Sequence, residues 1–390
     1  MTNTEKYFVE CVKRGILNEK VDFVPEGIDY QRLYTLCKSH SMSVVVFRAT
    51  EHLKEQLNSR FYLALQNSAH RHIVWDVQSE YDVTTLLTAF EENGIRHMPL
   101  KGYYLKKLYP TTDMRYASDC DILIDVNQIK EIRALVKELG LAVNRYDEHH
   151  DIVYYPETKT IFELHKTVFV GNLEKSFGMG LDRATLREGY QYMYEMSPEV
   201  FYVSVLGHSA YHFAESAGVG IRHLTDIYLY RKMYKLDEAV LQKELEKCKL
   251  VPFKKAFEKL ANYFFENGES DALTLKLAKH VLESSVLENK EKKSASDVAS
   301  SEKGKEEDRK KLKKRAIWRK VFPEKQRMRM MYPILKKAGW LLPFCYIARV
   351  MDALFTRPKN IKKIKGIHEV SENDFKYMKD IRNSLGINHL

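Results

Sequence analysis

The segment DCDILID, residues 119–125, decides the fold that the sequence predicts. Polar and apolar residues first alternate along it, and a short apolar run follows, which is typical of a β-strand. Side chains two positions apart on a strand lie on the same face. Asp119 and Asp121 therefore share one face, whereas Cys120 should point into the core and pack as a small hydrophobic residue.

Further strands and a helix are predicted on both sides of this segment. The strand that precedes it ends in a turn at Lys101-Gly102, and short apolar runs of strand character follow it. The predicted elements are strands over 95–102, 149–156 and 159–170, one or two helical turns over 103–110 and a helix over 126–140. The order β-α-β-α-β-β indicates an α/β unit on a small mixed sheet over residues 93–172.

The rest of the chain is predicted to be mainly helical. Apolar residues recur at three- and four-residue spacing over 1–92 and again over 173–287. Residues 288–315 have almost no large apolar side chains, and their composition favours a disordered linker over a solvated helix. Residues 316–390 form a basic and aromatic helical tail. The predicted fold class is α+β, a small mixed-sheet core flanked by N-terminal and C-terminal helical regions.

Composition limits the class of protein. The chain has 390 residues and a formal net charge of +10, which favours anionic partners such as nucleotides, nucleic acid or acidic membrane. Its five cysteines include no CxxC pair, which argues against a disulfide framework and a structural zinc site. The sequence shows no signal-peptide core and no apolar run of transmembrane length, so we expect a cytoplasmic protein.

Acidic residues on two predicted strands form the candidate site. Two carboxylates on one strand face repel each other unless a cation lies between them, and Mg²⁺ suits such a place because it binds hard oxygen ligands. Glu163 can supply a third carboxylate, and His165 faces the same way. Gly102 lets backbone N–H groups approach a phosphate. A D-x-D pattern alone is also common as a solvated strand start, and that alternative stays open here.

Three runs carry a family resemblance: LKG at 100–102, MRYASDCDILID at 114–125 and FELHKTVF at 162–169. Together they resemble the polymerase-β-type nucleotidyltransferase superfamily, and within it a bacterial branch of uncharacterised nucleotidyltransferases. The resemblance implies transfer of an NMP group from an NTP, with ATP favoured, to an acceptor hydroxyl, with release of pyrophosphate. It implies two Mg²⁺ ions, with Mn²⁺ as an alternative, and it matches Asp119, Asp121 and Glu163 to the catalytic, metal-binding carboxylates.

The glycine turn departs from the superfamily pattern. Gly102 matches the phosphate-turn glycine, but Tyr103 follows it where the superfamily has Gly or Ser. Lys101 is then the candidate that contacts phosphate in place of the missing hydroxyl. Because that hydroxyl is absent, a catalytically degenerate nucleotide-binding or scaffold protein on the same fold is the alternative function.

Further candidates for nucleotide binding lie on both sides of the acidic strands. Arg115 can bind a triphosphate, or it can pair with Asp113 or Asp119 as scaffolding. His208 and His212 are four residues apart and share a helix face. Structural histidines or nucleotide contacts are favoured over a zinc site there, because no HExxH pattern is present. His165 is the remaining candidate nucleotide contact.

The basic, aromatic region 316–365 leaves three interpretations open. A helical subdomain that packs on the body is favoured. Peripheral contact with the inner face of a membrane comes second. Nucleic-acid binding comes last, because no RNA- or DNA-binding motif is present. The acceptor substrate is not identified by any of these features.

Overall fold

A computed structural model describes residues 1–147, 149–178, 180–286, 288–289, 292–302, 308–323, 325–355 and 365–390. The fold class is α+β, as predicted. A five-stranded mixed sheet has the order β1-β2-β5-β4-β3, in which β2 and β5 are parallel and the other neighbours antiparallel. Its strands are β1 (His97–Pro99), β2 (Asp119–Ile124), β3 (Ala142–Tyr146), β4 (His150–Tyr154) and β5 (Ile161–His165).

Strand β3 was not predicted. It lies at the edge of the sheet, and four of its five residues are exposed, so it lacks the apolar alternation by which the other strands were found. A separate small sheet pairs β6 (Thr185–Leu186) with β7 (Tyr194–Glu195).

Helices make up most of the remaining described chain. They are α1 (Asn3–Ile16), α2 (Tyr30–Ser39), α3 (Ser43–Thr50), α4 (Ser59–Glu92), α5 (Gly102–Leu105), α6 (Ile129–Glu138), α7 (Gly171–Phe177), α8 (Pro198–Ser216), α9 (Ile221–Met233), α10 (Glu238–Lys247), α11 (Val251–Phe265), α12 (Ala272–Leu282), α13 (Lys293–Ala299), α14 (Arg309–Val321), α15 (Lys325–Met331), α16 (Leu342–Phe355) and α17 (Glu372–Leu385). In the described ranges no helix is both long enough and apolar enough to cross a membrane.

One face of the sheet is covered by the C-terminal half of α4 and by α6. Ile122 and Phe162 of the sheet are fully buried there, together with Phe90 and Ile132 of the two helices. Cys120 packs against this cluster, as predicted. The covered face fixes the orientation of β2 and β5, and it leaves their other face for polar side chains.

A larger hydrophobic core joins the helical regions. Helices α1–α3 share it with α8–α12, and residues of α13, α14 and α17 also belong to it. Phe8, Leu206 and Phe257 are examples of fully buried members. The helices before and after the sheet therefore pack on each other, and together they hold α8 and α9 beside the sheet.

The disordered linker predicted over 288–315 is wrong for the described part of that range. Helices α13 and α14 lie there, and Ala295, Val298 and Leu312 are buried. Small apolar residues at three-residue spacing form a narrow stripe with which α13 packs on α8 and α17. The linker was predicted because large apolar side chains are scarce in this range, and that criterion does not detect a stripe of small ones. Residues 290–291 and 303–307 of the predicted linker, and residues 356–364 of the predicted basic tail, lie outside the described residues.

Candidate metal and nucleotide site

The parallel pairing of β2 with β5 brings the acidic side chains together. Its register sets Asp121 directly opposite Glu163. On the other side of β5, the antiparallel pairing with β4 sets His150 opposite His165. Because strand side chains alternate, these four residues and Asp119 lie on the same face of the sheet.

Asp121, Glu163 and His165 form a compact group of metal-ligand type. One potential ligand atom from each lies within 4.8 Å of the other two. His165 Nε2 lies 2.7 Å from Asp121 Oδ1 and 3.5 Å from Glu163 Oε2. Within the described ranges, no other set of three His, Cys, Asp or Glu side chains converges in this way. His165, a candidate nucleotide contact by sequence, thus lies between two carboxylates.

Lys101 adds a positive charge to this group. Its Nζ lies 3.2 Å from Asp121 Oδ2 and 3.3 Å from His208 Nδ1. The lysine immediately precedes α5 and has a φ of 22° and a ψ of −92°, a backbone conformation that a residue with a Cβ rarely adopts. The strained turn after β1 therefore coincides with a side chain directed at the carboxylates.

The charges in the group stabilise one another. Burial opposes ionisation of Asp121, but the Lys101 charge and the His165 hydrogen bond outweigh it and hold the pKa of Asp121 well below its usual range. The hydrogen bond with His165 also lowers the pKa of Glu163. Burial lowers the pKa of His165, but hydrogen bonds to the two carboxylates raise it by more. Lys101 thus supplies positive charge, and His165 supplies hydrogen bonds, to an ionised pair of acids.

Asp119 lies at the exposed start of β2. It is not one of the three residues whose ligand atoms converge. Partial loss of water, followed by the negative charges of Asp121 and Glu163, raises the pKa of Asp119. The predicted D-x-D pair therefore shares a strand face, but the carboxylates that meet are those of Asp121 and Glu163.

Arg115 is held by a buried aspartate of α9. Its Nε and Nη2 donate to Asp226 Oδ1 and Oδ2 at 2.8 and 2.9 Å, and the Tyr109 hydroxyl donates to Oδ1 at 2.9 Å. The sequence suggested a triphosphate or a neighbouring acid as its partner, and the partner is instead 111 residues away. A Cβ on Gly102 would lie 3.3 Å from Arg115 Nη1. The ion pair thus ties the glycine turn to α9.

Three histidines line the helical side of the site. The rings of His208 and His212 lie 4.3 Å apart, and His223 of α9 lies 6.3 and 6.2 Å from them. Burial, followed by the Lys101 charge, lowers the pKa of His208 well below its usual range and that of His212 to about 4. Both rings are therefore neutral near pH 7. In the contact between Lys101 and His208, Lys101 Nζ donates the hydrogen bond and His208 Nδ1 accepts it.

Helix α8 approaches the sheet closely at Gly207, next to His208. A Cβ there would lie 2.7 Å from Phe169 Cζ, in the segment that follows β5. A larger residue would require the Phe169 ring to shift. The glycine thus allows the close contact between α8 and the segment that follows β5, and His208 is the next residue of the helix.

Sequence reasoning missed two residues of α4 that fix the segment before β2. Trp75 of α4 donates from Nε1 to Ala117 O at 2.9 Å, and His72 stacks on Tyr116 with ring centroids 4.7 Å apart. From α9, Arg222 donates to Tyr116 O at 2.7 Å. The apolar spacing of α4 indicated packing only, and nothing local in the sequence marked Trp75 or His72 as neighbours of the site.

Comparison with known proteins gives one family. Residues 26–266 match the family described as "Uncharacterised nucleotidyltransferase", a range that contains all five strands of the main sheet and every candidate site residue. A comparison with curated proteins gives no match. Among solved structures, the chain is similar to the antibiotic-resistance factor ANT(2'')-Ia, known from a solution structure, with 11% identity and a TM-score of 0.32 over 49% of this chain and 97% of that chain. The likeness in structure is weak, whereas the family match covers more than half of the chain. The chain therefore belongs to this family of nucleotidyltransferases.

Proposed function

We propose that the protein transfers an NMP group from an NTP, with ATP favoured, to an acceptor hydroxyl and releases pyrophosphate. Family membership supports the reaction class. The observation that carries the proposal is the parallel register that sets Asp121 opposite Glu163. A pair of ionised carboxylates at adjacent positions is the arrangement that a divalent cation needs.

The donor set fits a divalent metal ion. Carboxylate oxygens are ligands that both Mg²⁺ and Mn²⁺ prefer. We assign Asp121 and Glu163 as ligands, with Asp119 as a third carboxylate on the same strand face. When bound, divalent ions would neutralise phosphate oxygens and favour attack at the transferred phosphoryl group.

Lys101 is the proposed phosphate contact. An ammonium group has three N–H donors, and the described residues accept two of them, at Asp121 and His208. A phosphate oxygen is a suitable third acceptor. His208 then acts as a positioning residue, because its neutral ring holds the ammonium beside the carboxylates. His212 packs on His208 and supports that position.

Glu163 serves better as a ligand than as a base. Its lowered pKa means that it binds a proton weakly near neutral pH. A carboxylate of this kind keeps its negative charge for a cation. We therefore propose metal binding as the main role of Glu163 and deprotonation of the acceptor hydroxyl as its secondary role.

A catalytically degenerate nucleotide-binding or scaffold protein is the second candidate. The observation that favours it is Tyr103, which stands where the superfamily has a serine or glycine. Its ring lies beneath the Lys107 ammonium, 4.1 Å from Nζ to the ring centroid, and packs against the core under the sheet. The Tyr103 hydroxyl accepts a hydrogen bond from Arg187, a contact that does not replace the missing serine or glycine at the turn.

Pyrophosphate release with each NTP and a panel of hydroxyl acceptors, with Mg²⁺ or Mn²⁺, separates the two candidates. We expect release by the wild type, a loss of at least about 100-fold in Asp121→Asn because a charged ligand is removed, and near wild-type rates in Asp125→Asn. Asp125 is a matched control, since it directly follows β2 and pairs with Arg96 at 3.0 Å instead of joining the group. Equal rates in the wild type and Asp121→Asn would reject the enzyme. Nucleotide binding without release by the wild type would support the degenerate candidate.

A further inference from the structure

The C-terminal part of the chain exposes large apolar side chains together. We call Trp318, Trp340, Phe344, Ile347 and Met351 the apolar face; all five are exposed, and Trp340 keeps 73% of its surface accessible. Single exposed apolar residues are common on soluble proteins. A connected group that includes two tryptophans is uncommon and usually marks a binding surface.

Ring contacts and a groove connect this face. Trp340 meets Phe344 at 6.4 Å between ring centroids, and Trp318 lies 4.3 Å from Phe322. Phe322 in turn contacts Tyr346 of α16. Between them is an apolar groove of about 400 Å³, lined by Phe322, Pro343, Tyr346, Ile347, Val350 and Met351.

Helix α16 directs an apolar stripe outward. Phe344, Ile347 and Met351 follow helical spacing and share one exposed side. On its inner side, α16 packs Cys345 and Leu342 in a small apolar cluster with Met328 and Leu335. The Tyr346 hydroxyl donates to Pro323 O at 2.6 Å, and Arg349 donates to Lys320 O at 3.2 Å. The helix therefore has a second apolar stripe besides the one that it buries, and this second stripe is free to meet an apolar environment outside the described chain.

Basic residues are frequent in the segment that carries the apolar face. From residue 309 to 351 the sequence has fourteen Lys and Arg and one acidic residue, Glu324. Lys310, Lys311 and Lys314 of α14 are exposed, as is Lys337 next to the apolar face. This charge is complementary to an anionic surface, and it would repel a basic one.

We propose that the apolar face docks the protein on the surface of an anionic lipid bilayer. Trp318 and Trp340 fit the headgroup region, where tryptophan is enriched, and the stripe of α16 fits the upper acyl chains. The lysines of α14 lie against lipid phosphates. Nucleic acid fits less well, because Ile347 and Met351 in the centre of the face have no ring on which a base can stack.

Vesicle flotation tests the proposal with the full-length chain. The wild type should bind vesicles that contain phosphatidylglycerol, should not bind pure phosphatidylcholine vesicles, and should release at high salt. A lysine near an anionic membrane contributes about a fivefold factor, so Lys310→Gln/Lys311→Gln/Lys314→Gln should weaken binding by on the order of 100-fold. Phe344→Ser/Ile347→Ser should lose binding while the melting temperature stays unchanged, because both side chains are exposed.

A matched control lies on α4, where Val74 and Val77 are similarly exposed on a helix that is not part of the basic segment. Val74→Ser/Val77→Ser should bind vesicles as the wild type does. In a Trp75→Phe background, tryptophan emission should shift to the blue when anionic vesicles are added. Absent binding, equal binding by Phe344→Ser/Ile347→Ser, or absent emission shift would overturn the proposal. Binding to single-stranded RNA without binding to vesicles would also overturn it and assign the face to nucleic acid.

Discussion

Replacement of Asp226 by asparagine should destabilise the protein by about 3–5 kcal/mol, the usual cost of breaking a buried ion pair by removing one partner. The Arg115 and Asp226 side chains are 8% and 5% exposed. Their two hydrogen bonds are 2.8 and 2.9 Å long. Asparagine keeps one carbonyl acceptor but no charge, and its amide N–H groups face a guanidinium that has no acceptor to offer.

The magnitude follows from the geometry. Two unit charges about 3 Å apart attract each other by about 6 kcal/mol at an effective dielectric constant of about 20. Lost hydration of both ions offsets part of this attraction, which brings the expected loss into the stated range. The neighbouring Arg222 moves the expected loss of stability toward the upper end of that range. Burial, followed by the Arg115 charge, already lowers the pKa of Arg222, and Asp226 opposes that shift.

Urea unfolding at pH 7, followed by circular dichroism, measures the loss. Asp380→Asn is the control, because Asp380 is 65% exposed and its contact with Lys276 is 3.4 Å long, so we expect a loss of about 1 kcal/mol or less. The double variant Arg115→Leu/Asp226→Leu should be more stable than Asp226→Asn, since it also removes the Arg115 charge that Asp226→Asn leaves without its acidic partner. A loss in Asp226→Asn no larger than that in Asp380→Asn would refute the reasoning.

His280 and Lys101 give two further predictions. Burial lowers the pKa of His280 to about 4, so the fold holds the neutral ring and loses stability as the pH falls from about 6.5 toward 4. Between pH 7 and pH 5, this residue should lower the free energy of unfolding of the wild type by about 2 kcal/mol. Urea unfolding at the two pH values should show a correspondingly smaller loss in His280→Gln. An identical pH dependence in both proteins would contradict the assignment. Lys101→Met removes a positive charge 3.2 Å from Asp121 and should lower the Kd for Mn²⁺ by on the order of tenfold, as measured by calorimetry. Lys107→Met is its control because Lys107 is exposed in the same segment, and a raised Kd in Lys101→Met would mean that the lysine organises the ligands instead.

Local patterns were sufficient for the elements that carry the site. Alternation along residues 119–125 predicted β2 and the shared face of its two aspartates, and the same reasoning placed Glu163 and His165 on one face of β5. The alternation pattern does not specify the register between β2 and β5. The paired residues Asp121 and Glu163 are 42 positions apart in the sequence. That register depends on how Phe162 and Ile122 pack against α4 and α6 on the opposite face.

Contacts between distant segments could not be predicted from the sequence. Arg115 had two acids nearby in the chain, Asp113 and Asp119, and its actual partner belongs to a helix that packs on the turn only in the folded protein. Trp75 is a comparable case, because its hydrogen bond to Ala117 spans 42 residues. Such pairs follow from tertiary packing, which a single sequence does not encode locally.

The central claim is that Asp121 and Glu163 hold a divalent cation on adjacent parallel strands, and Mn²⁺ titration followed by electron paramagnetic resonance tests it most directly. The signal of free Mn²⁺ should fall when the wild type or Asp125→Asn is present. Asp121→Asn should raise the Kd by at least about tenfold, because it removes a charged ligand. Binding of Mn²⁺ by Asp121→Asn as tight as that by the wild type would contradict the account.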